Sequence, residues 1–394
     1  MNGKSSFRTE LTVCNMIKNT MFDIPFDIDN SISWNDVYEE MLIQAIAGLP
    51  YNDLLKFPFE DEIIKYKWLA YCIKQQNHYT RLLEIQSEVI SFLDYKGIKS
   101  VVIKGTTAAE NYPIPKHRSM GDIDLLVNHK DFRKSIQVLV QKGLKIVSRP
   151  IDYDIAFIRQ GITIELHRRL SNNVKTKSNE LLYKLLYDGI NSRQKKQLDG
   201  FVYYELPTLC NGLVLLLHIV QHITIGLGFR HIIDWMMFVN SYLDDNTWER
   251  SFQPIIKKIG YEELAKVITR MCQMYLGLSD RITWCKNTNE KLCKELFGYI
   301  VEHGNFGYKT NHSDDAIRFF SSVSSPIFAI KRLQQGGLAR WKLAHSSRLC
   351  RAFAWLYQIC YQVKHKRYYC FKNHKSLIIN AKKRKSFFYR IGIK

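Results

Sequence analysis

The chain alternates between two hydrophobic patterns. Apolar residues recur every three or four positions over 32–96 and again from 176 to about 363, which predicts helices. Between these regions, short apolar runs predict strands at about 99–104, 122–127, 144–148, 155–159 and 162–167. A helix is expected at about 130–142, with an apolar face formed by Phe132, Ile136, Leu139 and Val140. We therefore predict an α+β fold, with a small mixed β-sheet core flanked by N-terminal and C-terminal helical regions.

These patterns divide the 394 residues into four predicted regions. They are an N-terminal helical region at 1–96, the sheet-containing core at 97–170, a helical domain at 171–330, and a basic, aromatic-rich C-terminal region at 331–394. The formal net charge is +20, yet no Asp or Glu follows Asp315, while residues 316–394 carry 18 Lys and Arg. The positive charge is therefore concentrated at the C-terminal end.

The basic region has three interpretations. Lys and Arg interleaved with aromatic residues are typical of nucleic-acid grooves. They also suit an amphipathic helix that contacts an anionic membrane surface. In the third interpretation the charges are solvated, and an apolar helical stripe packs as ordinary core; its residues are Leu349, Ala352, Phe353, Leu356, Ile359, Cys360 and Val363. Residues 331–394 are thus a candidate contact region for a polyanion or a membrane surface.

Several features predict a cytoplasmic protein. The nine cysteines form no Cys-x-x-Cys pair and no zinc-binding spacing, which favours reduced thiols. The first ten residues lack the apolar stretch of a signal peptide. The most apolar segment, Leu213 to Leu227, is interrupted by His218, Gln221 and His222 and is too short to span a bilayer. Membrane contact is therefore expected only at the periphery.

The main chemical signal is Asp122-Ile123-Asp124 at the start of a predicted strand. Alternation along the strand places both aspartates on one face and Ile123 towards the core. Two carboxylates at 4 Å repel each other by roughly 4 kcal/mol at an effective dielectric of 20, so the pair favours a bound cation. Mg²⁺ takes one or two carboxylates together with substrate phosphate oxygens. Turn or cap residues are the simpler explanation of this pattern.

A third carboxylate follows on the strand at 162–167. Glu165 and His167 share one face of that strand, and Gln160-Gly161 joins it to the preceding strand. If the strand lies beside Asp122 and Asp124, the three carboxylates can hold two metal ions about 3.5–4 Å apart, as in-line displacement at phosphorus requires. His167 then stands either beside the ligands or as an ordinary half-buried histidine.

Phosphate-binding candidates precede the aspartates. Lys104-Gly105-Thr106 closes a strand before a predicted short helix, where glycine admits a phosphate and the helix N-terminus favours an anion. Arg118 could hold a triphosphate with two hydrogen bonds, or pair with the aspartates. An ordinary strand–helix turn with Lys104 in solvent is the alternative.

Two histidines, His218 and His222, lie one turn apart on an apolar helix, and His231 and Asp234 follow. Such spacing can ligate zinc, but the sequence shows no obvious third ligand. Hydrogen bonds between helices, or contact with the nucleotide or acceptor, are the other interpretations.

These motifs resemble the polymerase-β-like nucleotidyltransferases, and most closely an uncharacterised bacterial family of that superfamily. The resemblance covers about residues 99–170 and rests on Ile103-Lys104-Gly105, Arg118, Gly121-Asp122-Ile123-Asp124 and Glu165-Leu166-His167. Weaker similarity continues through His218, His222, Arg230, Asp234 and Gly304-Asn305-Phe306-Gly307. The chain has Gly105-Thr106 where the superfamily usually has Gly-Ser or Gly-Gly, and a longer gap before Asp122.

The resemblance implies transfer of a nucleoside monophosphate from an NTP to an acceptor hydroxyl, with release of pyrophosphate. Asp122, Asp124 and Glu165 would bind Mg²⁺ or Mn²⁺, and Lys104, Gly105, Thr106 and Arg118 would bind the nucleotide. The acceptor stays open between a small molecule, a sugar, a protein and RNA. The alternatives are an Asp-x-Asp glycosyltransferase and a catalytically inactive nucleotidyltransferase fold that serves as a binding module.

Overall fold

The computed structural model describes residues 2–29, 31–147, 154–170, 177–309, 326–364 and 374–393. The chain divides into two compact units, Met1–Phe306 and Gly307–Lys394. The first unit holds the predicted N-terminal region, the sheet core and most of the predicted 171–330 domain.

One mixed sheet forms the centre of the first unit. In the described residues it has seven strands, which run β1 Ser100–Val102, β2 Asp122–Val127, β3 Lys145–Ile146, β4 Asp154–Arg159, β5 Ile162–His167, β6 Gln194–Leu198 and β7 Phe201–Glu205. Their order across the sheet is β3-β4-β5-β2-β1-β7-β6. The pairs β2–β5 and β1–β7 are parallel, and the other neighbours are antiparallel. The predicted mixed sheet and α+β class are confirmed.

Two hairpins close on the same kind of turn. Gln160 and Gly161 have φ angles of 48° and 82°, and Asp199 and Gly200 have 46° and 87°. Positive φ at both central residues is the type I′ turn, which matches the twist of paired strands. The first hairpin was expected from its sequence. The second lies where we predicted only helix, although Asp199-Gly200 between two β-prone runs is a strong hairpin signal.

Helices surround the sheet. In the first unit they are α1 Asn2–Phe22, α2 Trp34–Ile43, α3 Glu62–Tyr95, α4 Gly105–Ala109, α5 Phe132–Gln141, α6 Lys177–Asn191, α7 Thr208–Ile223, α8 Phe229–Tyr242, α9 Asp245–Thr247, α10 Gln253–Ile259, α11 Glu262–Tyr275 and α12 Glu290–His303. The core joins Leu83, Val89 and Leu93 of α3 to Ile123 and Leu125 of β2. Thus the long α3 covers the face of β2 opposite its aspartates.

The buried face of α5 differs from the prediction at one position. Phe132 and Leu139 are buried as expected, but Val140 is 45% exposed. Ser135 and Val138 lie on the buried face instead. Position 140 stands about 100° around the helix from position 139, which is enough to turn its side chain away from the sheet.

The second unit contains α13 Pro326–Arg340, α14 Arg348–Ala352, α15 Ala354–Lys364 and α16 His374–Arg390. The helices α13 and α15 approach closely at Gly337, where a Cβ atom would lie 1.8 Å from the carbonyl oxygen of Ala354. Of the apolar stripe, Leu349, Phe353 and Leu356 are 73%, 52% and 46% exposed, so these three side chains are not packed as core in the structure. The side chain of Val363 lies outside the described residues. No helix in the described ranges is long and apolar enough to cross a membrane.

Candidate active site

Pairing of β2 with β5 brings the predicted carboxylates together. In this parallel pair, Asp124 stands opposite Glu165 and Asp122 stands opposite Thr163. Asp122 and Asp124 are two positions apart and therefore share a face, while Ile123 between them is buried in the core. Asp122, Asp124 and Glu165 all line one cleft.

Asp124 is held by two partners. Its Oδ1 accepts a hydrogen bond from Lys104 Nζ at 3.0 Å and lies 2.7 Å from His167 Nε2. Burial opposes ionisation of Asp124, but Lys104 and His167 hold the pKa of this carboxyl well below its usual range. His167 Nε2 is also 3.4 Å from Glu165 Oε2. Burial lowers the pKa of His167, but the hydrogen bonds to Asp124 and Glu165 outweigh it and raise the pKa. His167 therefore connects the two facing carboxylates.

Asp122 has the opposite environment. Burial, together with the charges of Asp124 and Glu165, raises its pKa to about 6. The positive charges of Lys104 and Arg230 offset only part of this effect. Together, the three carboxylates carry more negative charge than the neighbouring cationic side chains neutralise. This is expected of a site that binds a cation.

The turn between β1 and α4 aims Lys104 into the cleft. Lys104 has a φ of 62°, an uncommon conformation for a residue with a side chain. Gly105, which begins α4, also lines the cleft. A Cβ atom at this glycine would meet only Met120 Sδ at 3.7 Å and the Asp122 carbonyl oxygen at 3.9 Å, which are ordinary contacts. Among the described residues, no protein atom fills the space that a Cβ atom would take beside Gly105. A ligand can therefore approach the backbone here more closely than a residue with a side chain would allow.

The side chain of Thr106 does not reach the cleft. It is fully buried, and its Oγ1 donates a hydrogen bond to Gln86 Oε1 at 2.8 Å. In this structure the hydroxyl points away from the predicted phosphate position, because α4 turns the side chain towards α3. The hydroxyl ties these two helices together.

Arg118 lines the cleft but is already engaged. Its Nε and Nη2 donate to Asp234 Oδ1 and Oδ2, both at 2.7 Å, and both side chains are 1% exposed. Tyr112 donates its hydroxyl to the same Oδ1 at 2.7 Å. We expected an ion pair with Asp122 or Asp124 as the structural alternative, and Arg118 has instead a partner more than a hundred positions away. Its predicted nucleotide contact would compete with this buried pair.

Arg230 is a further cation of the cleft. It lines the cleft from the first turn of α8, and its Nη2 lies 3.4 Å from His231 Nε2. Among the described residues, Arg230 has no carboxylate within ion-pairing distance. Burial and the charge of Arg118 lower its pKa. An incompletely neutralised guanidinium thus shares the cleft with the carboxylates, and only weak similarity at Arg230 pointed to it.

His231 completes a cluster with His218 and His222. Their ring centroids are 4.4–4.7 Å apart, and each offers a ligand atom within 4.8 Å of the others. Burial lowers the pKa of all three, that of His222 to about 4. Neutral imidazoles can bind zinc, but the guanidinium of Arg230 beside His231 opposes a further cation. The cluster fits better as an uncharged wall of the cleft.

Phe306 borders this wall. Its ring centroid is 4.9 Å from that of His222, and the side chain is 48% exposed. Its backbone N–H donates to the Gly226 carbonyl oxygen at 3.1 Å. A Cβ atom at Gly228 would lie 2.7 Å from Asn305 Cβ, so glycine is needed where these two loops meet. The loop contact holds a half-exposed aromatic ring at the edge of the cleft.

The cleft has about 630 Å³ of open space. One part is acidic, through Asp122, Asp124 and Glu165, and another is formed by Arg230, His218, His222 and Phe306. A molecule that carries phosphates, a bound cation and a planar ring matches the basic, acidic and aromatic side chains of this cleft.

Comparison with known proteins identifies the family. Residues 30–277 match the family described as uncharacterised nucleotidyltransferase, and the chain belongs to that family. The match includes every predicted site residue. A similar solved structure is that of an antigenic nucleotidyltransferase-like protein from Paracoccidioides brasiliensis, which is 14% identical in sequence. The match has a TM-score of 0.32 and covers 50% of this chain and 93% of that one. No curated protein matches the chain.

Proposed function

We propose that this protein is a Mg²⁺-dependent nucleotidyltransferase of the polymerase-β-like superfamily, which transfers an NMP from an NTP to an acceptor hydroxyl and releases pyrophosphate. The observation that carries the proposal is the parallel pairing of Asp124 with Glu165 beside Asp122. Membership of an uncharacterised nucleotidyltransferase family supports the reaction class. The cysteine pattern supports a cytoplasmic location.

The carboxylates fit a hard divalent cation. All three offer oxygen ligands, and the raised pKa of Asp122 reflects negative charge that its neighbours leave uncompensated. Asp122, Asp124 and Glu165 would hold Mg²⁺, or Mn²⁺, which would supply charge neutralisation at the phosphates and activation of the attacking oxygen. Lys104 Nζ, 3.0 Å from Asp124 Oδ1, offsets part of the negative charge of the carboxylates.

The protein side chains then have distinct tasks. Glu165 is partly exposed and lies beside the other two carboxylates, so it can take the acceptor hydroxyl proton. His167 fixes the orientation of Asp124 through their 2.7 Å contact. Lys104 can leave Asp124 for a phosphate oxygen once another cation replaces it.

The nucleotide would lie across the cleft. Arg230 provides a guanidinium for phosphate oxygens, and Gly105 permits close approach of the phosphates to the backbone. Phe306 provides a half-exposed aromatic surface on which a base can stack. Arg118 acts by holding α8, and thus Arg230, in place through Asp234.

One experiment separates this proposal from its alternatives. The purified protein is incubated with Mg²⁺ and each α-labelled NTP, alone and with cell extract, and label is followed into protein, RNA and small molecules. Asp122→Asn is the test variant, and Asp36→Asn, at an exposed aspartate of α2, is the matched control. Transfer that the control retains and the test variant loses supports the proposal. Nucleotide binding without transfer would favour the inactive binding module, and transfer of sugar from a sugar nucleotide would favour the glycosyltransferase.

A further inference from the structure

We propose that the C-terminal unit, Gly307–Lys394, docks on an anionic lipid surface. The inference is independent of the transfer reaction, because it concerns another compact unit and another kind of ligand. It rests on an exposed apolar stripe, a strongly basic charge after Asp315 and the stacking of Trp341 on Tyr357.

The apolar stripe consists of Leu349, Phe353, Leu356 and Cys360. These positions follow the spacing i, i+4, i+7 and i+11, which places them on one side of the nearly continuous helices α14 and α15. All four are exposed, Leu349 to 73% and Phe353 to 52%. Isolated exposed leucines are common, but a row of large apolar side chains on one face is typical of a docking surface.

The stripe is not needed for packing inside the unit. Contact between α13 and α15 uses the opposite side of α15, where Ala354 and Gln358 are buried. Gly337 lets the backbones meet at Ala354, and Gly336 lies against Gln358. The helices α13 and α15 therefore pack against each other without using the stripe. The stripe residues remain exposed and can contact a partner.

The charge of the unit specifies that partner. No acidic residue follows Asp315 in the sequence, so the helices α13 to α16 of this unit all lie in a stretch whose charged side chains are basic. Exposed cations flank the stripe at Arg340 and Lys364, and α16 exposes Lys382, Lys383 and Lys385. Basic residues near an anionic bilayer add electrostatic attraction that weakens as salt increases. Apolar insertion combined with such attraction is the mode of interfacial amphipathic helices.

Nucleic acid fits this surface less well. Single-stranded binding relies on aromatic faces that are open for base stacking. Here Trp341 and Tyr357 stack on each other, with centroids 4.9 Å apart and planes 1° apart, and Arg340 lies 5.2 Å from the Tyr361 ring. The exposed stripe is instead mainly aliphatic, with one phenylalanine. Aliphatic side chains suit acyl chains and offer nothing for base stacking.

The test measures binding of the full-length protein to vesicles. Vesicles of phosphatidylcholine alone and with phosphatidylserine are compared in a flotation assay across a salt series, with tRNA as a separate ligand. The stripe variant is Leu349→Ser with Phe353→Ser and Leu356→Ser. The matched control is Leu55→Ser with Ile63→Ser, because those residues of the first unit are 70% and 73% exposed. A charge variant, Lys382→Glu with Lys383→Glu and Lys385→Glu, leaves the stripe intact.

The expected result is salt-sensitive binding to phosphatidylserine vesicles and little binding to the neutral ones. The stripe variant should lose about tenfold or more of that affinity, because inserted apolar area and charge act together. The control should bind like the wild type, and the charge variant should bind weakly. Absence of vesicle binding, equal binding by the stripe variant, or tRNA binding without vesicle binding would overturn the proposal.

Discussion

Arg118 and Asp234 form a buried ion pair with two hydrogen bonds, Nε to Oδ1 and Nη2 to Oδ2, both 2.7 Å long. The pair joins the loop before β2 to the first turns of α8, where Asp234 lies four positions after Arg230. It therefore connects the strand that carries Asp122 and Asp124 to the helix that carries Arg230.

Breaking this pair should destabilise the protein. Asp234→Ala leaves a buried guanidinium without a counter-charge, at an expected cost of about 3–5 kcal/mol in the free energy of unfolding. Urea unfolding measures the effect. The double variant Arg118→Met with Asp234→Leu should lose less than Asp234→Ala alone, since no charge remains buried. A loss below about 1 kcal/mol in the single variant would contradict a structural role for the pair.

Thr106→Ala should affect stability and leave nucleotide affinity unchanged. The substitution removes a buried hydrogen bond and leaves the Gln86 amide oxygen without its donor, which should cost about 1–3 kcal/mol. Thermal unfolding and ATP titration with Mg²⁺ together check the prediction. Weaker nucleotide binding at unchanged stability would restore the phosphate role that the sequence motif suggested.

Arg230→Gln should have the converse effect. Loss of a charge-assisted hydrogen bond to phosphate, at about 1.5–3 kcal/mol, corresponds to a drop in NTP affinity of about 10- to 100-fold. Stability should hold or rise, because an incompletely neutralised buried cation is removed. Calorimetric titration measures the affinity. Arg133→Gln, at an exposed position of α5, is the control. Wild-type affinity in Arg230→Gln would remove this residue from the nucleotide site.

Stability should fall in mild acid, partly through His117. Burial, with a smaller contribution from Lys116, lowers the pKa of His117 to about 4. An unfolded histidine takes up its proton near pH 6.5, so the stabilising contribution is complete above that pH and is lost as pH falls from 6.5 towards 4. The loss should reach about 3 kcal/mol at pH 4. Unfolding curves at several pH values should show a smaller dependence in His117→Gln than in the wild type or in His129→Gln, which changes an exposed histidine.

The local sequence pattern was enough to predict the strands that carry the carboxylates. It could not predict the long-range contacts that complete the cleft. Alternation fixed the face shared by Asp122 and Asp124, and Gln160-Gly161 marked the hairpin that carries Glu165. The Arg118–Asp234 pair spans more than a hundred positions, so no local spacing indicates it. The histidine cluster likewise depends on the contact between α7 and α8. The direction of the Thr106 hydroxyl depends on where α3 packs, which no local pattern indicates.

Like-charge repulsion at the site should make the metal-free protein less stable than it could be. Asp122→Asn removes one of three neighbouring carboxylates while it preserves side-chain volume, and should raise the free energy of unfolding by about 0.5–2 kcal/mol. Denaturant unfolding in the presence of EDTA measures this change. Asp27→Asn, at an exposed aspartate outside the helices, should leave stability unchanged. A destabilised Asp122→Asn protein would indicate that Asp122 has a structural role.

The most direct test is Mg²⁺-dependent release of pyrophosphate from labelled NTPs by wild type, Asp122→Asn and Asp124→Asn, with acceptor supplied as cell extract. The account predicts turnover by the wild type that EDTA abolishes and Mg²⁺ restores. Both variants should remain folded and lose turnover by a factor of at least about 100, as expected when a group that stabilises transition-state charge is removed. Turnover at wild-type rates in either folded variant would contradict the claim that these carboxylates form the catalytic centre.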